Sequence, residues 1–266
     1  MGITMGESAS IAAQQVLPRG LAPPLYRIAD HCAVFLDFDG TLMNLERRPD
    51  QVVVDGCLLY LLDDLYVATA GATAIMSGRS LDDIDALLAP LRLPLAGIHG
   101  AQRRRADGAV EKCAIASTVV WTTRMSLRMR LRHYEGLFIE DKGSAFAVHY
   151  CAAASLSLTR LRADLEALAN ASRGVFEVAE GAGVLELRPR SCDKAAALER
   201  FMTEAPFEGR FPIFIGDDQS DQAAFAAVAR VNGMGIAVGP GATARWWLPD
   251  PAGVRTWLRT CLGLGH

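Results

Sequence analysis

The segment Asp37-Phe38-Asp39-Gly40-Thr41 sets two carboxylates on the same side of an extended stretch, because side chains alternate there with period two. Neighbouring carboxylates repel unless a cation offsets them. Mg²⁺, a hard ion that takes carboxylate and phosphate oxygens, suits the pair. One carboxylate could then attack phosphorus while the other moves protons; the plainer alternative is a solvated turn with a glycine. Gly216-Asp217-Asp218-Gln219-Ser220-Asp221 brings three more acids. Alone they could simply be favourable negative charge at a helix start, but beside Asp37 and Asp39 they supply the remaining acidic ligand for a divalent ion. Ser77-Gly78-Arg79 offers a hydroxyl, backbone N–H groups and a guanidinium next to a helix start, an anion cradle that by itself would be only a capped turn. Lysine occurs three times, at Lys112, Lys142 and Lys194, among 27 basic residues. Arginine is thus the default cation, and a lysine marks a place that needs a compact ammonium. Lys194 opens a helix, where the dipole disfavours a cation, so a nearby phosphate or aspartate cluster would explain it better than a solvated surface would.

These groups need strands and helices to hold them. The apolar runs Cys32 to Leu36, Thr73 to Met76 and Pro212 to Ile215 each stop abruptly at one of the polar tips, as strands buried on both faces do. Helical patterns alternate with them: Leu58 to Leu65, Leu81 to Leu88 behind a Ser80-x-x-Asp83 capping box, Ala195 to Met202, and Gln222 to Ala229. Strand and helix in alternation imply an α/β fold with a parallel sheet, which binds ligands beyond the carboxyl ends of its strands, so the tips should converge. Between Ser77 and Lys194 the rhythm changes. Val120 to Tyr134 and Leu158 to Leu168 read as amphipathic helices, and Ser144 to Tyr150, Val175 to Val178 and Val184 to Arg188 as short strands. This is a small α+β insertion, with continuation of the main sheet as the alternative.

Composition narrows the partners. The 266 residues are 51% hydrophobic and 21% charged, an ordinary globular balance, and a net charge of −3 provides no strong general field to attract nucleic acid or an anionic membrane. No apolar stretch reaches the ~18 residues of a membrane helix. The six scattered cysteines include no CxxC and read as reduced, mostly buried thiols, so a cytoplasmic location is expected. Residues 1 to 28, with Pro18, Gly20, Pro23 and Pro24, read as a flexible leader. Arg103-Arg104-Arg105 reads as a solvated loop, and His99 and His149 as structural rather than metal-binding.

The ordered set Asp37-x-Asp39-Gly40-Thr41, Ser77-Gly78-Arg79, Lys194 and Gly216-Asp217-Asp218-x-x-Asp221 resembles the four motifs of the haloacid dehalogenase (HAD) superfamily of phosphotransferases. The long Ser77 to Lys194 interval matches a cap inserted after the second motif. Gly97-Ile98-His99-Gly100-Ala101, Glu140-Asp141-Lys142-Gly143, His149-Tyr150, Glu186-Leu187-Arg188-Pro189 and Ala244-Arg245-Trp246-Trp247-Leu248 further resemble the trehalose-6-phosphate phosphatase family. Gln102, where that family commonly has Glu, and Ser191-Cys192, where a Gly is usual, depart from it.

The resemblance implies a HAD-like Rossmannoid core with a C2-type α+β cap: leader 1–28, core 29–101 and 188–266, cap 102–187. It implies hydrolysis of trehalose 6-phosphate in trehalose biosynthesis, with a phosphatase or mutase for sucrose or mannose phosphate as the alternative, and a decayed binding module as a further one. Asp37 would be the nucleophile and Asp39 the acid and base. Mg²⁺ would lie on Asp37, the Asp39 carbonyl and Asp217, with Asp218 or Asp221 orienting its waters and Lys194. Thr41, Ser77, Gly78, Arg79 and Lys194 would hold the phosphoryl oxygens, and Glu140, Lys142 and Glu186 would read the sugars. A trehalose-6-phosphate synthase is a possible partner.

Overall fold

The computed structural model describes residues 20–45, 51–150, 157–181 and 183–264. In chain order the first elements are β1 (Cys32–Asp37), α1 (Gly56–Ala68), β2 (Thr73–Met76), α2 (Leu81–Leu88), β3 (Leu95–Gly97), β4 (Gln102–Arg104) and β5 (Val110–Lys112). There follow α3 (Ser117–Leu131), β6 (Phe138–Asp141), β7 (Phe146–His149), α4 (Leu158–Ala171), β8 (Phe176–Gly181) and β9 (Val184–Pro189). The chain ends with α5 (Lys194–Phe201), β10 (Phe211–Gly216), α6 (Gln222–Arg230), β11 (Met234–Val238), β12 (Trp246–Leu248) and α7 (Pro251–Cys261).

Every residue of β1 is buried, which is why its apolar run is uninterrupted: it lies at the middle of an eight-stranded sheet, order β12-β11-β10-β1-β2-β3-β4-β5. The strands from β12 to β3 run parallel. Alternation along β1 sends Val34 and Leu36 to one face and Ala33 and Phe35 to the other. The first pair packs with Leu58, Leu62 and Leu65 of α1, Ile84 of α2 and Trp257 of α7; the second packs with Leu198 and Phe201 of α5 and Phe225 of α6. The sheet is therefore covered on both sides, and its carboxyl ends are left free for chemistry. The capping box of α2 is formed as expected, Ser80 accepting from the Asp83 N–H.

The insertion is a four-stranded antiparallel sheet, order β6-β7-β9-β8, with α3 and α4 on one face. Phe146, Val148, Leu185 and Leu187 turn toward Leu127, Leu161 and Leu165 of the helices. The intervening residues must then face the other way. Register aligns Glu140 with Ala147, Ala147 with Glu186, and Glu186 with Ala179, a row across the bare face.

Three expectations are corrected. Residues 102–112 do not belong to the inserted layer, because β4 and β5 pair antiparallel onto β3 and extend the large sheet; the inserted sheet likewise runs on to Pro189. Arg103 and Arg104 are not a solvated loop but buried, Arg103 at 1% exposure. Arg103 forms ion pairs with Glu111 and Glu204 and lies over the Phe201 ring, while Arg104 is bidentate on Asp85 and donates to the Leu93 carbonyl. Such pairing is what permits guanidinium burial. The leader expected over 1–28 is tied down from residue 21: Leu21 bridges to Trp246, the Trp257 indole donates to the Pro24 carbonyl, and Ile28 is buried. Residues 1–19 lie outside the described residues.

The thiols are less buried than expected. Cys32 and Cys261 are buried, Cys113 and Cys192 half-buried, and Cys57 exposed, while Cys151 lies outside the described residues. No described helix is long and apolar enough to cross a membrane.

Candidate active site

Asp37 is the last residue of β1, Asp217 follows β10 and Lys194 opens α5, so three separated segments meet at the carboxyl edge of the sheet. The Lys194 ammonium, 3% exposed, donates to Asp37 Oδ1 at 2.6 Å and Asp221 Oδ1 at 2.7 Å. A cation at a helix start is thereby explained by two carboxylates facing it. Asp221 is fixed in turn by the backbone N–H groups of Asp217 and Asp218, at 3.0 and 3.2 Å, and Asp218 accepts from the N–H and hydroxyl of Ser220. Gly40, φ +84°, makes the approach of the two loops possible: a Cβ there would stand 2.0 Å from Asp217 Oδ2.

Negative charge exceeds what Lys194 can balance. Burial, with repulsion from Asp217 and Asp218, raises the Asp37 carboxyl well above its ordinary range against the pull of Lys194. Burial likewise lifts Asp217 to about 6 and Asp221 to about 7, each aided by repulsion from Asp218. Asp218 differs, since Lys194 and Ser220 overcome burial and hold it low. Oxygens of Asp37, Asp217 and Asp221 lie within 4.8 Å of one another. All-oxygen donors with unbalanced negative charge fit a hard divalent cation.

Arg79 grips both oxygens of Asp39, at 2.7 and 2.8 Å. Two expected phosphate ligands are engaged locally. The Thr41 hydroxyl donates to Asp217 Oδ1 at 3.2 Å, and the Ser77 hydroxyl accepts from the Arg79 N–H at 3.0 Å. Gly78 and Arg79 line the cleft directly.

Opposite this edge stand the residues of the small sheet. Glu140 and Glu186 come from its bare face, and Lys142 follows β6. Lys142 Nζ donates to Glu186 Oε1 at 2.7 Å and, across to the large domain, to the Gly78 carbonyl at 2.8 Å. Burial pushes its ammonium toward neutrality, but Glu186 and Glu140 more than compensate and raise it. Glu186 is held well below the carboxylate range: burial works against this, but His99 and Lys142 prevail. His99 and His149, expected to be structural, stand at the cleft itself. His99 Nε2 meets Glu186 Oε2 at 2.6 Å and His149 Nε2 meets Glu140 Oε2 at 3.0 Å, and both rings line the cleft. Arg188, also on the wall, pairs with Glu177. The sequence signal that could have found the histidines is their place inside the segments Gly97 to Ala101 and His149-Tyr150.

One cleft is thus lined by Asp37, Asp39, Arg79, Lys194 and Asp217 on one side and by Glu140, Lys142 and Glu186 on the other. Such a lining could supply a nucleophilic carboxylate, a second carboxylate for proton transfer, cations for an anion and a polar wall for hydroxyls. Residues 35–246 match the family model described as trehalose-phosphatase. The chain is 39% identical over 233 residues to "Trehalose-6-phosphate phosphatase" of Escherichia coli (strain K12), covering 85% of each chain. Among solved structures it is similar to a "trehalose-6-phosphate phosphatase related protein", 28% identical with TM-score 0.73 over 87% of this chain and 97% of that one. A "haloacid dehalogenase-like hydrolase from Bacteroides thetaiotaomicron", 15% identical with TM-score 0.61 over 88% and 99%, shares the fold.

Proposed function

The chain belongs to the trehalose-phosphatase family, and from that premise we propose that it hydrolyses trehalose 6-phosphate to trehalose and phosphate through an aspartyl-phosphate. The observation carrying this is the shared cleft, where a nucleophile at a strand tip faces a row of carboxylates suited to sugar hydroxyls. Asp37 Oδ attacks phosphorus as the sugar oxygen leaves, taking a proton from Asp39. Asp39 then removes a proton from water, whose oxygen attacks the phosphorus of the acyl phosphate and frees Asp37. For both steps Asp39 must turn from Arg79, which holds both its oxygens in this structure.

Lys194, Arg79 and the Gly78 backbone hold the phosphoryl oxygens, joined by Thr41 and Ser77 once their hydroxyls turn from their present partners. Asp37, Asp217 and the Asp39 carbonyl would hold Mg²⁺, with Asp218 or Asp221 orienting its waters; bound there, the ion would neutralise the acidic cluster and polarise the phosphoryl group. Glu140, Lys142 and Glu186 read the sugars, each carboxylate able to accept several hydroxyl hydrogen bonds. This reading sets the reaction in cytoplasmic trehalose biosynthesis, after a trehalose-6-phosphate synthase.

Phosphate release from trehalose 6-phosphate should exceed that from glucose 6-phosphate, sucrose 6-phosphate and mannose phosphates. Chelation with EDTA should stop it and Mg²⁺ restore it. Because the cation binds the folded site, excess Mg²⁺ should also raise the thermal midpoint. Faster turnover of another sugar phosphate would overturn the substrate assignment, and full activity after exhaustive chelation would overturn the metal.

The sugar wall is tested separately. Glu140→Ala should lose about thirtyfold in kcat/KM for trehalose 6-phosphate, the equivalent of about 2 kcal/mol for a charged hydrogen-bond acceptor. It should lose much less with p-nitrophenyl phosphate, which has no sugar to read. Equal losses with both esters in folded protein would show that Glu140 does not read sugar.

A further inference from the structure

His99 carries two costs that its own packing does not explain. It lies in the short 3-10 turn Ile98–Gly100 that follows β3. Ile98 and His99 both have left-handed backbone, φ 50° and 51°, which is unfavourable for non-glycine residues and most of all for a β-branched one. Among the described residues its Nδ1 is buried without a hydrogen-bond partner, a further desolvation cost. Conformations of this kind persist only where the surroundings enforce them.

What the turn achieves is the placement of Nε2. That atom lies 2.6 Å from Glu186 Oε2, and the ring stands beside the phosphate loop so closely that a Cβ on Gly78 would be 2.7 Å from Nε2. Neutral or charged, the ring must carry a proton on Nε2 to donate to the carboxylate. Glu186 therefore has one donor from each body: Lys142 of the small sheet on Oε1 and His99 of the large domain on Oε2. The second reaches it only when the small sheet is seated on the core.

We propose that His99 is a positioning residue that fixes the Glu186 carboxylate from the core side, so that Glu186 is correctly aimed at a sugar hydroxyl only with the cap closed. Recognition of the leaving group is thereby tied to assembly of the site around phosphorus, as in other enzymes whose binding energy drives closure. This rests on the reading of Glu186 as a sugar reader. It does not depend on which sugar is read.

The test is a double-mutant cycle, run with whichever sugar phosphate the enzyme turns over fastest, so that an error in the trehalose assignment appears in the substrate panel and an error about His99 appears in the cycle. His99→Asn keeps a residue type tolerant of left-handed backbone but too short to reach Glu186. It should lower kcat/KM by about 10- to 100-fold, through both a raised KM and a lowered kcat, and the loss should be at least about tenfold smaller with p-nitrophenyl phosphate. His99→Gln, which can return an N–H to the same depth, should recover most of the loss. In a Glu186→Gln background, His99→Asn should cost less than about threefold, because its partner is already altered.

A cost in that background equal to the cost in the wild type would overturn the proposal, as would equal damage to both esters. Should His99→Asn fail to fold, the Nε2–H resonance of His99 in ¹⁵N-histidine-labelled wild type serves instead: a shift on Glu186→Gln supports the contact, and an unchanged resonance refutes it.

Discussion

Replacing Asp37 with Asn is expected to abolish turnover, by at least about 10⁴-fold, while leaving the protein folded. An amide matches the carboxylate in shape but cannot attack phosphorus. The fold has little to lose, because burial and the repulsion of Asp217 and Asp218 already disfavour charge at Asp37, and Asp221 remains to face Lys194. The thermal midpoint should therefore hold or rise. Phosphate release measures the first effect, and acid quenching with labelled substrate should trap a phospho-enzyme in wild type and none in the variant. More than about 1% residual activity, with deamidation excluded by mass spectrometry, would show that Asp37 is not the nucleophile.

Lys194→Ala should damage both stability and catalysis. Its ammonium is enclosed between Asp37 and Asp221 with almost no access to water, and its acidic partners more than offset burial to hold it firmly charged. Removing one member of such a buried network leaves the carboxylates uncompensated, a cost of about 3–5 kcal/mol. A lower urea midpoint at unchanged slope would measure it. Turnover should fall by about 10³-fold or more with trehalose 6-phosphate and p-nitrophenyl phosphate alike, because in the proposed mechanism the lost charge would act on the phosphoryl group that both share. Lys194→Arg should not rescue, since a planar guanidinium cannot replace a compact ammonium in this slot. Near-normal activity in Lys194→Ala would remove Lys194 from the mechanism, and near-normal activity in Lys194→Arg would show that the slot needs a cation but not an ammonium.

The strand tips were legible because a strand buried on both faces tolerates no polar residue until it ends: Asp37, Ser77 and Asp217 stand where the apolar runs of β1, β2 and β10 stop. Helices α1 to α6 were legible from their apolar periodicity, with α2 bounded by its own capping box. Sequence reasoning did not find β3, β4, β5, β6 or β12, each three or four residues long and so without a measurable period, and it also passed over β11 and α7 near the end of the chain. Arg103 and Arg104 misled because a charge looks solvated until its partners are known, and Glu204 lies far along the chain. His99 misled in a related way. Its meaning resides in Glu186, which only the seating of one sheet against another brings near.

The insertion joins the rest of the molecule at two places, between β5 and α3 and between β9 and α5. A rigid body attached at two points keeps one easy rotation, about the line through its attachments, and resists the others. Distance from that line sets how far an atom travels. Lys194 begins α5 on the core side of the return attachment, whereas Glu186 lies in β9 on the far side. Any swing of the small sheet must then carry Glu140, Lys142 and Glu186 through an arc while Asp37, Lys194 and Asp217 stay still. A mechanical division of labour follows from where the chain crosses: under the proposed function, the grip on the leaving group would open for release without disturbing the groups aligned around phosphorus.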